Sequence, residues 1–275
     1  MPILQSAQEF SQELYISYSQ VFTYMNCSLK YRFQYLENRP YEMVSIAPIF
    51  GSAIHGAIER HYRGLKSHHI ITLDELVEEF RIQLGLDLEQ QTVPVIYKKD
   101  LKDMEAAFAM GEAMLGLVHE NTINADLVVA DVEVPLTATL YKEDGQATDY
   151  KLAGVIDVIF KDQQGNLIVV DNKTAARAMA QETADENHQM TSYAYLLAAN
   201  KLVFPTATVT CRFDVFRKLK TPKIEHVYTS RTADDRKRFA RIANGVLDAI
   251  DAGVFIPQSS WLCADCGYQD ACGKW

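Results

Sequence analysis

Two apolar runs joined by a short polar loop constrain this chain most, because each run carries one acid and the loop folds the runs against each other. The first is Leu152–Phe160 with Asp157 inside it; the second is Leu167–Lys173 with Asp171 inside it. Lys161 to Asn166 supply the polar residues and the glycine of a hairpin loop. Centred near Gln164, that hairpin predicts an antiparallel pair with Asp157 directly opposite Asp171. Cross-strand Cβ atoms lie roughly 5 Å apart, and like charges so placed destabilise a sheet. A chain that keeps both acids is expected to hold a cation between them. Side chains alternate along a strand, which places Lys173 on the face of Asp171. Two acids and an ammonium around one cation suit phosphodiester hydrolysis. The bland alternatives are a bulge or an arginine partner for either acid alone, and a plain salt bridge for Lys173.

At 275 residues the chain is long enough for one large core, and its hydrophobic and charged fractions, 48% and 23%, are ordinary for a soluble protein. No run approaches the roughly 20 apolar residues that span a bilayer. Met1 to Ser11 lacks the basic start and apolar run of a signal peptide, so no membrane association and a cytoplasmic location are expected. The net charge of −9 weighs against a nucleic-acid partner, since phosphate binding needs Lys and Arg. Cations held by ligand carboxylates and a local basic groove offset that objection. Two local clusters are candidates: Arg212, Arg217, Lys218, Lys220 and Lys223, then Arg231, Arg236, Lys237, Arg238 and Arg241. Either also reads as a solvated face.

Periodicity changes along the chain. Ser17 to Gln20 fits a capping box that opens a helix through Cys27 toward Leu36. Helices are expected over 52–66, from a cap at Asp74 to about Gln90, over 98–120, over 187–202 and over 232–252. Strands are expected over 127–140, with Pro135 at an edge or bulge, and over 150–160, 167–173, 207–216 and 224–230. Residues 253–275 read as irregular. The economical organisation is one domain over 1–275: a small mixed α/β (α+β) sheet flanked by helices, with a helical insertion at 70–125.

Five cysteines, an odd number, argue against a disulfide framework. Cys263, Cys266 and Cys272 cluster within the last 13 residues, and Cys27 lies 236 positions before Cys263. Four thiolates suit zinc or a [4Fe–4S] cluster, and spacing alone does not choose between them. Cys211, between apolar neighbours in a strand, reads as a buried thiol.

Taken in order, these pieces resemble the RecB-like branch of the PD-(D/E)XK nucleases. Within it they are similar to the iron–sulfur members, such as CRISPR-associated spacer-acquisition nucleases and AddB-type nuclease domains. The likeness rests on Ser17–Gln20, Cys27–Phe33, Phe50–His55, Gly154–Asp157, Asp171–Lys173, Gln189 with Tyr193, and Trp261 with Cys263, Cys266, Tyr268 and Cys272. It implies the restriction-endonuclease-like core of that superfamily, with a C-terminal iron–sulfur closure over 253–275.

The resemblance also implies roles. His55, Asp157, Asp171 and the Asn172 carbonyl would ligate Mg²⁺ or Mn²⁺. Lys173 would orient or deprotonate the attacking water, with its pKa depressed beside the metal. Gln189 and Tyr193 would contact the substrate strand and steady the lysine. Cys27, Cys263, Cys266 and Cys272 would hold a [4Fe–4S] cluster. The aromatic and arginine residues around Tyr31 to Tyr35 would stack unpaired bases. Glu133, on the preceding strand, is the weaker candidate for the site. Two departures stand out: Asp171 occupies a position where many relatives carry Glu, and about 100 residues separate His55 from Asp157. The activity implied is an exonuclease on single-stranded DNA or DNA ends, leaving 5′-phosphates, in repair, recombination or CRISPR spacer acquisition beside a helicase or integrase. A non-catalytic DNA-end-binding scaffold and a cluster-based redox sensor are the alternatives.

Overall fold

The computed structural model describes residues 14–123 and 127–275. Met1 to Ser11, the stretch read for a signal peptide, lies outside the described residues. In chain order the elements are β1 (Tyr15–Ser17), α1 (Tyr18–Asn26), α2 (Ser28–Tyr31) running into a wider turn at Arg32–Leu36, β2 (Val44–Ser45), α3 (Ile46–Lys66), α4 (Leu73–Glu89), β3 (Val95–Ile96) and α5 (Met104–Ile123). Then come β4 (Val128–Tyr141), β5 (Ala147–Lys161), β6 (Leu167–Ala175), α6 (Gln181–Asp185), α7 (His188–Ala199), β7 (Val209–Arg217), β8 (Lys223–Arg231) and α8 (Ala233–Asp251). A 3₁₀ turn (Trp261–Asp265) and α9 (Gln269–Gly273) follow.

Local chemistry sets the boundaries. Ser17 accepts a hydrogen bond from the Gln20 N–H and caps α1 as expected. The expected run to Leu36 is broken at Cys27, whose extended backbone ends α1 and whose Sγ accepts from the Lys30 N–H to start α2. α3 is capped by Ser45 and begins at Ile46 rather than at Ser52. Thr72, not Asp74, caps α4, through a reciprocal pair of bonds with Glu75. The fourth helix starts after Asp103, which accepts from the Ala106 N–H, and not at Lys98.

The main sheet is mixed, in the order β1-β5-β6-β7-β8, with β4 also paired to β5. β6 runs parallel to β7, and the β4–β5, β5–β6 and β7–β8 pairs are antiparallel. Pro135 lies on β4, an edge strand that pairs only with β5, and the register shifts fall at Val129/Asp131 and Thr139/Tyr141 rather than at the proline.

Helices cover both faces. α3, α4 and α5 bury Ile54, Phe80 and Leu115 against Val158, Phe160 and Val170. α4 and α5 thus pack into the same core as the sheet. The other face carries α7, whose Met190, Tyr193 and Leu197 meet Val169, Phe213 and Val215, with Cys211 buried among them. α8 closes over Leu140 and Leu152. Among the described residues no helix is long and apolar enough to cross a membrane.

Candidate active site

The two acids sit where the sheet divides. β4 follows β5 along one whole edge, while the other edge of β5 pairs with β1 at 151–153 and with β6 only at 158–161. Between these, 154–157 pair with neither β1 nor β6, and the gap opens onto α7. The β5–β6 ladder runs from Lys161↔Leu167 to Val158↔Val170, the register of a hairpin centred near Gln164. One further step would set Asp157 opposite Asp171, but the ladder ends. Asp157 Oδ2 accepts instead from the Asn172 N–H at 2.8 Å. The face-to-face pair expected from the sequence is therefore a splayed one.

Asp171 is buried, its side chain 1% exposed. Gln189 Nε2 donates to its Oδ1 at 2.6 Å, and the Tyr193 hydroxyl does so at 3.4 Å. The Lys173 ammonium pairs with Oδ2 at 2.7 Å. Gln189 Oε1 accepts from Lys173 Nζ at 2.9 Å, and its Nε2 also reaches the Tyr193 oxygen at 2.8 Å. One amide thus ties the lysine, the acid and the tyrosine together, with Gln189 and Tyr193 on one face of α7. From α3, His55 Nδ1 comes within 3.6 Å of Asp157 Oδ2, and its ring bonds to the Asn172 backbone.

Electrostatics follow this packing. Burial first, and the Asp171 charge second, push the Asp157 carboxyl well above its usual range. Burial lowers the His55 pKa despite Asp171. Burial also works to lower that of Lys173, but Asp171 and Asp157 outweigh it and hold the pKa above its ordinary value. A depressed lysine is expected beside a bound metal; the carboxylates alone act in the opposite direction.

Two residues enter the site that the sequence marked weakly or not at all. Glu133 stands between the pairs Val132↔Val158 and Val134↔Ile156, across β4–β5 from Asp157. It has φ 48°, a left-handed conformation rare for a non-glycine and worth about 1–3 kcal/mol of strain. Burial, with Glu59 nearby, raises its pKa to about 7. Tyr18, at the start of α1, lies close enough that burial and then the Asp171 charge push its pKa to about 12. A capping motif revealed the helix start but not where it points.

Among the described residues no group of three or more His, Cys, Asp or Glu side chains is close enough to hold a metal ion, since Asp171 is drawn toward Gln189 and Lys173. The chemistry of the donor set still fits one: two carboxylates with hard oxygens and one imidazole beside them. The cysteine element is a separate place. Cys27, Cys263, Cys266 and Cys272 line one cavity of about 580 Å³. Burial raises the Cys272 thiol pKa, followed by the proximity of the other three.

The fold splits the two basic clusters, leaving Lys220, Lys237, Arg238 and Arg241 exposed and committing the rest to partners. Arg212 pairs with buried Asp214, Arg217 and Lys223 with Glu225, and Lys218 with Asp100. Arg231 and Arg236 are buried and donate to the carbonyls of Ala184, Asn187, Pro205 and Ala207. The stacking platform expected near Tyr31 is also closed: Tyr31 is buried and packs on Tyr35, with ring centroids 5.0 Å apart, while Arg32 pairs with Glu37.

A family model described as the PD-(D/E)XK nuclease superfamily matches residues 15–273. No curated protein matches the chain. Among solved structures, a candidate exonuclease from Eubacterium rectale superposes with a TM-score of 0.57 at 14% identity, over 97% of this chain and 90% of that one. The structure named SSO0001 gives a TM-score of 0.35 at 14% identity, over 90% of this chain and 94% of that one.

Proposed function

The chain belongs to the PD-(D/E)XK nuclease superfamily, and from that premise we propose that it is a divalent-metal-dependent deoxyribonuclease acting on single-stranded DNA or DNA ends. The observation that carries this reading is the Gln189 bridge, which donates to Asp171 and accepts from Lys173 inside the division of the sheet where Asp157 and His55 converge. A structural ion pair needs no such bridge.

His55, Asp157, Asp171 and the Asn172 carbonyl would hold Mg²⁺ or Mn²⁺, which suits their oxygen-rich set. When bound, such an ion neutralises phosphate charge and acidifies a water. Lys173, aimed by Gln189, donates a hydrogen bond to the attacking water or to a non-bridging phosphate oxygen, and so fixes the line of attack. Tyr193 and Gln189 hold Asp171 in place. Hydrolysis leaves a 5′-phosphate.

The four cysteines would hold a [4Fe–4S] cluster that joins the first helices to 253–275. Anaerobically purified protein should then be brown, with visible charge-transfer absorbance that is lost in Cys272→Ala; colourless, iron-free protein would remove the cluster from the proposal.

The nuclease reading is tested with end-labelled single-stranded and duplex oligonucleotides in Mg²⁺ or Mn²⁺. Progressive shortening of the single strand is expected, abolished by EDTA and by Lys173→Ala at unchanged thermal stability. Folded wild-type protein that leaves every oligonucleotide intact across a panel of divalent ions would overturn it.

A further inference from the structure

Beyond the metal-binding cluster of side chains, α1 carries an aromatic face that begins at the site and runs away from it. Tyr18 directly follows Ser17, which pairs with Ala153 at the edge of the gap in the sheet, and it feels the Asp171 charge. One helical turn on, Phe22 lies 5.7 Å from it between ring centroids, the rings tilted at 39°. Phe22 is 47% exposed, unusual for a phenylalanine that has a helix and a core at hand. It borders the cavity of about 580 Å³, and Lys30 is the basic side chain among the residues lining that cavity. No ion pair among the described residues engages the Lys30 ammonium.

The charge distribution sharpens the meaning of that ring. The net charge is −9, and five members of the basic clusters, Arg212, Arg217, Lys218, Arg231 and Arg236, are taken up by internal ion pairs and carbonyls. Backbone electrostatics therefore supply little of the grip on a polyanion, and stacking must supply more. Residues 18 and 22 are about 6 Å apart along the helix axis, so consecutive bases of an extended strand reach both rings. Tyr31, the ring the sequence suggested, is enclosed. Phe22 is open and continuous with the site through Tyr18.

We propose that the Tyr18–Phe22 face of α1 is the track of the unpaired DNA strand as it leaves the catalytic centre, with one base stacked on Phe22 and an adjacent phosphate against Lys30. This rests on the nuclease reading above and deepens it by naming the side chains that select a single strand. A duplex keeps its bases stacked on each other and cannot offer one to Phe22.

The test compares wild type, Phe22→Ala and Phe22→Trp in two assays. Binding of a fluorescent single-stranded oligonucleotide is followed by anisotropy in EDTA, and cleavage is followed in Mn²⁺ on that oligonucleotide and on bis-(p-nitrophenyl) phosphate, which is too small to reach the track. Phe22→Ala is expected to weaken oligonucleotide binding and raise its KM by about tenfold, within the usual range for one lost base stack. The rate on the small ester should change far less, and Phe22→Trp should restore the oligonucleotide values. An abasic residue at the stacked position should bring wild type and Phe22→Ala together.

Equal oligonucleotide affinity in wild type and Phe22→Ala overturns the track. So does a loss of equal size on the small ester, and so does a wild type that binds no single strand. A wild type that binds single strands through Phe22 but hydrolyses neither substrate upholds the track while removing the nuclease reading.

Discussion

Gln189 shows how a single side chain sets the chemistry of its neighbours. Its amide has a donating and an accepting end, and the site uses both, on Asp171 and on Lys173. Gln189→Glu keeps the size but loses the donor and adds a negative charge beside Asp171. Steady-state kinetics on a single strand should show kcat falling on the order of 10²-fold, the lower end for a misplaced proton-handling group, with KM little changed. His61 makes a separate, pH-dependent prediction. Burial first, then His119, lowers its pKa to about 4. The unfolded chain takes up this proton near 6.5 and the folded chain only near 4, so stability is full above 6.5 and declines as pH falls toward 4. By pH 4 the loss is about 3 kcal/mol. Denaturant unfolding from pH 7 to 4 should show that decline in wild type and not in His61→Leu. Residue types and spacing singled out Asp157, Asp171 and Lys173, whereas Gln189 and Tyr193 entered only through the family resemblance; the fold brings these side chains together. Tyr18 was not singled out, because Asp171, whose charge it feels, is 153 positions away and only the packing of α1 brings them together.

At the scale of elements, the division of the sheet is what makes a site out of a hairpin. The hairpin register was legible because a two-residue period and a short loop determine it. Where the ladder stops was not, since that depends on β1 taking the edge of β5 at 151–153. Helix starts shifted for a related reason: Thr72 and Asp103 compete with nearby residues as caps, and the reciprocal Thr72–Glu75 bonds decide the first case. The C-terminal cysteine element is seated by more than its thiols. Glu42 accepts from the Asp270 and Ala271 N–H groups, Ile256 exchanges bonds with Ser28, and the Tyr268 hydroxyl donates to the Arg39 carbonyl. Gly267 lies so close to this seat that a Cβ would meet the Tyr41 ring at 2.6 Å and the Met43 carbonyl at 2.8 Å. Gly267→Ala should therefore lift the element: hydrogen exchange over 257–275 should rise sharply while β5 and β6 stay protected. Unchanged protection there would mean that the seat does not hold the element.

For the whole molecule, the acidic balance and the buried arginines point the same way. Charge counting from the sequence could find basic clusters but not their partners, which come from other elements: Asp100 for Lys218, and the 184–187 and 205–207 carbonyls for Arg231 and Arg236. With Arg212, Arg217, Lys218, Arg231 and Arg236 committed to internal partners, single-strand binding should depend weakly on salt. A plot of log K against log salt is expected to have a slope of roughly −1 to −2, matching one or two phosphate contacts; a slope near −6 would show a basic groove that this packing does not provide. The fold class was legible because the period changes along the chain are strong and the strands of the site are nearly all apolar. The central claim, that the gap between β5 and β6 is a divalent-metal centre, is tested most directly by anomalous diffraction from crystals soaked in Mn²⁺. One manganese peak bounded by His55, Asp157, Asp171 and the Asn172 carbonyl is the expected result, and a fully soaked crystal with no peak in that gap would contradict it.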